Sequence, residues 1–381
     1  MQFEFSIPPY IHFGEGATSK LGEITLNFGA KTVFFIYDKG VAKLAAGYIQ
    51  ALKDSGLKVV EFDEIIPNPT DEVMEEAAQL AREANTDVIV AFGGGSCIDT
   101  AKVVAILLTN PSPCLQYAGP PNLVKNPGKP LIAIPTTSGT GTEATPFTII
   151  TVPSLSKKVA IASPYVAPTV AILDPAILVG LPPAVTAFTG MDALTHAIEA
   201  YTAKNASPFT DDLALRAISL IAKNIMEAIN NGSNVEARAN MHLASLMAGI
   251  AFGNAFVGMV HAIAHPISAH CNVAHGVANA ACLSYVMDYN AVAVPDRTID
   301  IGVAMGIDVQ GLSKEEACQK IVAAVQKLVV DIKIPKLSEA GVPGDKLEQI
   351  AEDAVVELPS LFNAREVTKE ACMEVLRKAY K

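Results

Sequence analysis

No cluster of Lys and Arg longer than a pair occurs anywhere in this chain of 381 residues, and acids outnumber bases, 39 Asp+Glu against 28 Lys+Arg, for a formal charge of −11. An acidic chain with no basic cluster has little with which to neutralise phosphates, so nucleic acid and anionic membrane surfaces are excluded as expected partners. The N-terminus, MQFEFSIPPY, lacks the basic segment and apolar run of a secretory signal. No CxxC spacing joins Cys97, Cys114, Cys271, Cys282, Cys318 and Cys372. In a chain of this length they read as scattered reduced thiols of a cytoplasmic protein. Only 18% of residues are charged and half are apolar, which excludes a disordered chain.

Charge is missing altogether between Arg238 and Asp288. Within that stretch Leu243 to Val260 has the length of a membrane span. Asn254, three glycines and the flanking His242 and His261 favour buried helices of a large core instead. The chain length itself fits about two domains at roughly 100–200 residues each.

What is present alternates first and then changes character. Lys31–Tyr37, Leu57–Phe62, Asp87–Phe92 and Pro130–Ile134 are apolar, β-branched runs with the length of strands, and helical patterns lie between them. Thr70, after the rigid Pro67-Asn-Pro turn, is an N-cap for an acidic helix over Asp71–Ala84. Repeated βα units with apolar strands imply a parallel, doubly wound sheet. Thr148–Val152, Lys158–Ala162 and Val170–Leu173 read as further short strands, and beyond Pro183 nearly everything reads helical. The expected fold is an α/β domain over residues 1–180 and an all-helical domain over 181–381, with a ligand cleft where they meet.

Two loops carry the signal for a nucleotide. Gly93-Gly94-Gly95-Ser96 follows a strand and opens a helix, where backbone N–H groups and the helix N-terminus favour a phosphate. The run lacks the GxGxxG spacing, so alone it could be an ordinary tight turn. Asp99, placed by the pattern in the first helical turn, has a bland reading as an acid that stabilises a helix start. The second loop, Thr136-Thr137-Ser138-Gly139-Thr140-Gly141-Thr142, is dense in hydroxyls directly after a strand. Loops at the carboxyl ends of parallel strands form the ligand crevice of such sheets, so Asp99, Thr136, Thr137 and Thr140 join the glycines as candidates. Asp38, at the end of another strand, is placed to accept bonds from a ribose and to repel a 2′-phosphate, which favours NAD over NADP.

The histidines carry a second signal. Five of the seven, His242, His261, His265, His270 and His275, fall inside the charge-free stretch. Upstream, Asp192 and His196 share a helix face at i, i+4, although Thr189 and Asp192 also match a capping box. His261 and His265 share a face in the same way, Pro266 is expected to end or kink their helix, and Gly276 lets the chain turn close beside His275. One carboxylate with neutral imidazoles suits Fe²⁺, Zn²⁺, Mn²⁺, Co²⁺ or Ni²⁺, and affinity order does not choose among them.

Taken in order, four blocks resemble the iron-containing (group III) alcohol dehydrogenases, including their lactaldehyde reductase and 1,3-propanediol dehydrogenase branches. They are Gly93-Gly-Gly-Ser-Cys-Ile-Asp-Thr-Ala-Lys102, Pro135-Thr-Thr-Ser-Gly-Thr-Gly-Thr-Glu143, Gly190-Met-Asp-Ala-Leu-Thr-His-Ala-Ile-Glu-Ala-Tyr201, and His261-Ala-Ile-Ala-His-Pro followed by His275-Gly-Val-Ala-Asn279. The resemblance implies a Rossmann-like α/β N-terminal domain, a helical metal-binding domain, and the two-domain plan of the dehydroquinate-synthase-like fold. It implies Asp192, His196, His261 and His275 as ligands of Fe²⁺, with Zn²⁺ or another divalent ion possible. It implies that Asp38, Gly94, Gly95, Ser96, Thr136, Thr137 and Lys158 contact NAD, with Asn68 near the adenosine or ribose. His265 is implied beside substrate and nicotinamide. His270, Ala274 and Ala364 depart from the family's usual aromatic residue and prolines.

The function expected on this basis is NAD-linked oxidation of small neutral primary alcohols or diols, or reduction of the aldehydes, by a cytoplasmic homodimer or larger homo-oligomer. The lack of basic residues from Arg238 to Asp288 argues against acidic substrates. A zinc glycerol dehydrogenase, a dehydroquinate-synthase-like lyase and a non-catalytic metal or nucleotide binder are the alternatives. Net NADH production from an alcohol separates them.

Overall fold

The computed structural model describes residues 2–7, 9–155 and 157–381. The chain forms two compact units. One comprises Ile7–Thr137 and Gly141–Gly180. The other comprises Leu181–Lys381, the short segment Ser138–Thr140 and the N-terminal residues up to Ser6.

The first unit is built on β1 (Tyr10–Phe13), α1 (Leu21–Asn27), β2 (Thr32–Tyr37), α2 (Ala42–Asp54), β3 (Lys58–Phe62), α3 (Asp71–Glu83), β4 (Val88–Gly93), α4 (Gly95–Leu107), β5 (Leu131–Pro135), β6 (Phe147–Val152), β7 (Lys157–Ala162) and β8 (Val170–Leu173). Six strands form one parallel sheet in the order β1-β8-β5-β4-β2-β3. Successive side chains of a strand point to opposite faces, and both faces here are apolar. Phe34, Ile36, Ile89 and Ala91 pack with α3 and α4 on one side. Val33, Phe35, Val88, Val90 and Phe92 pack with α1 and α2 on the other.

The sequence reading differs from this sheet in two places. It does not find β1, whose four residues are half exposed at the sheet edge and give no buried run. It also gives no pairing for β6 and β7, which leave the parallel sheet and pair with each other as an antiparallel hairpin. The N-cap at Thr70 is present, its side chain accepting from the Val73 amide.

The second unit contains α5 (Pro183–Thr202), α6 (Pro208–Asn230), α7 (Val235–Ala255), α8 (Met259–Cys271), α9 (His275–Ala291), α10 (Pro295–Ala304), α11 (Lys314–Asp331), α12 (Leu347–Val356) and α13 (Lys369–Tyr380). The charge-free stretch becomes α7, α8 and most of α9, buried on nearly every face. Among the described residues no single helix is long and apolar enough to cross a membrane. Only α7 and α8 together pass that test, and they are bent by 101°.

One local reading needs correction and another is narrowed. Thr189 and Asp192 do not form a capping box, because α5 starts at Pro183 and Thr189 bonds back to the Val185 carbonyl inside the helix. Of the two outcomes expected at Pro266, an end or a kink, the end does not occur, since the helix continues to Cys271. Proline removes one backbone donor at that turn, and the tertiary packing of the buried α8 outweighs that loss.

Candidate metal centre and cofactor loops

In the α/β unit the chain passes from β2 to β3 on one side and then returns to β4 on the other. This reversal of strand order is a switch point, where ligands of such sheets bind. The loops there are tied to one another. Asp38, just after β2, accepts the Gly94 amide at 2.8 Å through Oδ2. Burial pushes its carboxyl up, and the Gly94 bond opposes that. The Thr136 amide, just after β5, donates to the Gly93 carbonyl at 3.0 Å. A side chain at Gly93 would collide with Asp38 Oδ2 and come within 2.6 Å of the Cys97 Cβ, so only glycine fits that bend. Helix α4 follows at once, and the amides of Gly95 and Ser96 precede its first intrahelical bonds, an arrangement suited to a pyrophosphate.

The other predicted cofactor residues distribute as follows. Asn68 sits in a left-handed turn at φ 54° and accepts from Lys158 Nζ at 2.9 Å. Thr140 belongs to the short segment 138–140 of the helical unit. Asp99 is not in the first turn of α4 but one turn further on, and it is half-buried. It accepts from Thr142 Oγ1 at 2.6 Å and from the Ile149 amide at 3.2 Å. Its role in the structure is therefore to fasten the hydroxyl-rich loop and β6 to α4.

Beside Asp99 lies a residue the sequence reading assigned no place, Lys102. Its side chain is completely buried. Nζ donates to Thr142 Oγ1 at 2.8 Å, Thr145 Oγ1 at 2.9 Å, the Thr145 carbonyl at 3.1 Å and the Phe147 carbonyl at 2.7 Å. Burial lowers its pKa to about 8, against the opposing charges of Asp99 and Glu143. Burial likewise raises the Glu143 carboxyl to about 7. An apolar helical sequence around it and a lysine at i+3 from an aspartate were the signals available, and they do not distinguish a buried ammonium from a surface pair.

In the helical unit, three of the four predicted ligands converge. Asp192 on α5, His261 on α8 and His275 at the start of α9 offer ligand atoms that all lie within 4.8 Å of one another. His196, one turn beyond Asp192, stands beside them. Its Nδ1 is 4.0 Å from Asp192 Oδ2, and its ring is stacked between Phe252 at 4.1 Å and His261 at 4.6 Å. Burial lowers the His196 pKa to about 4, which keeps the imidazole neutral and able to ligate. Gly276 follows His275 because any side chain there would collide with the Phe188 carbonyl of α5.

The donor set fits a divalent cation. Asn279 Nδ2 is 2.7 Å from Asp192 Oδ1 and 3.1 Å from both His261 Nε2 and His275 Nε2. Three acceptors thus address one NH₂ group that carries two hydrogens. The Asn279 Oδ1 and the His196 Nδ1 are buried with no hydrogen-bond partner among the described residues. A cation that takes several lone pairs at once satisfies such a set, whereas an amide cannot.

His265 lies one turn after His261. Its ring stacks on His275 at 5.6 Å, and its Nδ1 is 3.0 Å from Glu357 Oε2. His270, the departure from the family pattern, pairs its Nε2 with Asp353 Oδ2 at 2.6 Å, so two of the three histidines of α8, His265 and His270, face carboxylates of the α12 region. Residues that the sequence reading left unassigned here are Asn279 and Glu199, although both stand inside the quoted motifs. Glu199 accepts His261 Nδ1 at 2.5 Å, and burial raises its carboxyl to about 7.

Comparison with known proteins covers the whole chain. The sequence model of iron-containing alcohol dehydrogenases matches residues 8–175, and that of the Fe-containing alcohol dehydrogenase family, C-terminal, matches residues 186–380. The chain is 39% identical to the 1,3-propanediol dehydrogenase of Klebsiella pneumoniae over 99% of both sequences. It is 34% identical to the NAD-dependent methanol dehydrogenase of Bacillus methanolicus, over 98% of this chain and 99% of that one. A solved structure of 1,3-propanediol oxidoreductase superposes over 100% of both chains with a TM-score of 0.96 at 38% identity.

Proposed function

Because this chain belongs to the iron-containing alcohol dehydrogenase family, we propose that its substrates are small neutral primary alcohols or diols, interconverted with their aldehydes. The family carries Fe²⁺ and NAD(H) chemistry, and NAD-linked alcohol dehydrogenase activity is that of this chain. The observation that carries the site reading is the meeting of Asp192, His261 and His275 from three different helices within 4.8 Å.

In this reading Asp192, His196, His261 and His275 hold the ion. A divalent metal held there would supply Lewis-acid polarisation of an alcohol oxygen, and NAD would supply the hydride acceptor. Asp38 fixes the glycine bend through the Gly94 amide, and Gly95 and Ser96 at the α4 start receive the pyrophosphate. Thr136, Thr137, Thr140, Asn68 and Lys158 complete the cofactor set, and Asp99 acts indirectly by securing their loop. His265 is the chain's own proton carrier. Glu357 at its Nδ1 fixes the ring so that Nε2 is the exchanging atom.

The absence of Lys and Arg from 239 to 287 supports neutral substrates, since these residues build α8, α9 and the metal ligands on them. The reading also includes a cytoplasmic homo-oligomer of two or more chains. Anaerobic purification, elemental analysis and a panel of ethanol, propanol, propanediols and glycerol with NAD and NADP provide the test. NADH should form in proportion to bound metal, fastest with primary alcohols or diols. Metal-replete protein that oxidises no alcohol and reduces no aldehyde would sink the proposal.

A further inference from the structure

We propose that Glu199 is a positioning residue for the metal centre, fixing the tautomer and orientation of His261 while capping the helix that carries it. The proposal rests on the reading of His261 as a ligand. Helix α8 has 13 residues, and its first N–H groups have no partners within the helix. Two side chains from outside serve them. Asn363 Oδ1 takes the Met259 amide at 3.1 Å. Glu199 Oε1 takes the Val260 amide at 2.6 Å, and Oε2 lies 3.4 Å from the His261 amide. The Gly258 amide also donates to this carboxylate. Gly258 has no room for a side chain, since a Cβ would lie 2.7 Å from Asn363 Oδ1 and 3.1 Å from Glu199 Oε1.

The same carboxylate oxygen that faces the His261 amide is 2.5 Å from His261 Nδ1. Asn279 Nδ2 only donates, so His261 Nε2 presents its lone pair to it, and Nδ1 carries the proton that the ionised Glu199 accepts. Nε2 is the atom that, with Asp192 Oδ1 and His275 Nε2, lies within hydrogen-bond distance of Asn279 Nδ2, and ligand atoms of these three residues lie within 4.8 Å of one another. Glu199 sits on α5, three residues after His196 and seven after Asp192. One helix therefore supplies two ligands and sets the aim of a third. The carboxylate is 3% exposed, so water does not compete for these bonds.

The two jobs separate experimentally. Asn363→Ala loosens the same helix start without touching the His261 ring. Glu199→Gln keeps the shape but offers one acceptor and one donor. If its NH₂ faces His261, the imidazole must accept at Nδ1 and carry its proton at Nε2, which blocks ligation. If its oxygen faces His261, a donor opposes the Val260 amide.

The test uses the full-length protein, loaded with Co²⁺ alone under competition by a chelator. Affinity, the cobalt d–d spectrum and the metal-free melting temperature are the readouts. Glu199→Gln should weaken Co²⁺ by about 10- to 100-fold and shift the d–d bands. Asn363→Ala should lower the metal-free melting temperature and leave affinity and spectrum near wild type. Equal losses of affinity in both variants, or an unchanged spectrum in Glu199→Gln, overturn the proposal and leave Glu199 as a helix cap only. Should Glu199→Gln not fold, Glu199→Asp carries the same comparison, because its carboxylate is one methylene too short to reach both the amides and the ring. His261→Ala tests the underlying reading separately. If that variant binds Co²⁺ as wild type does, the ligand assignment itself is wrong, whatever the Glu199 variants do.

Discussion

The α/β unit and the helical unit each organise their functional loops around one buried charge, but of opposite sign. In the first, the Lys102 ammonium gathers two threonine hydroxyls and two carbonyls from 142–147 and so fixes the loop after β5. In the second, the Glu199 carboxylate gathers the amides at the start of α8 and the ring of His261. The sign follows from what must be gathered. A loop leaving a strand turns carbonyl and hydroxyl oxygens inward and needs donors, whereas a helix start offers only N–H groups and needs an acceptor. A buried charge is expensive unless it is fully hydrogen-bonded, and both of these are. In each unit the gathered groups are thus held from one layer behind the candidate binding residues.

If the two charges serve separate sites, their losses should be separable. The largest effect is expected for His275→Ala, which removes a ligand atom. Metal content should drop to background and turnover by about 10³-fold or more, as several kcal/mol of charge stabilisation is lost. NAD binding, followed by nicotinamide or cofactor fluorescence, should be retained. Loss of NAD binding in this variant would break the comparison.

Lys102→Met is the converse. It leaves four oxygens without their donor, and stability to urea should fall by about 3–5 kcal/mol, the usual cost of removing one partner from a buried ionic network. NAD should bind more weakly, and cobalt affinity should be unchanged in the fraction that folds. Unaltered NAD affinity in folded Lys102→Met would show that the ammonium is structural only.

The smallest effect concerns pH. Burial raises the Glu143 carboxyl to about 7 from an ordinary 4.5. Between those values the folded protein holds a proton that the unfolded chain has released. Glu143 therefore contributes stability that is complete below about pH 4.5 and is lost as pH rises through about 7. The slope is at most about 1.4 kcal/mol per pH unit for one proton. Urea midpoints between pH 5 and 7 should decline less steeply in Glu143→Gln than in wild type. An identical slope would remove Glu143 from the account of this unit.

How much was legible in advance differs between the same two regions. Strands β2, β4 and β5 show in the sequence because buried parallel strands are continuous apolar runs, and Asp38, Gly93 and Thr136 stand at their carboxyl ends. The half-exposed β1 gives no such run. In the helical unit the clustering of histidines in uncharged sequence marked candidate ligands, of which His261 and His275 come together with Asp192. The same sequence placed a helix start at Thr189, where α5 is already in its second turn, because T-x-x-D occurs inside helices as readily as before them. Asn279 and Glu199 were visible as letters of a motif, yet nothing in a motif tells a surface glutamate from one that three backbone amides and a histidine surround.

The sequence by itself determined the chemistry on offer: which stretches are apolar, where glycine permits a sharp bend, and that one aspartate and several imidazoles lie in uncharged surroundings. Only the tertiary structure decided which of those groups come together in space, and that His261 Nδ1 faces the Glu199 carboxyl. The reason is physical. Composition and periodicity act along a chain over a few residues, whereas convergence of Asp192, His261 and His275, and the burial that gives Lys102 and Glu199 their weight, arise from packing between elements tens of residues apart.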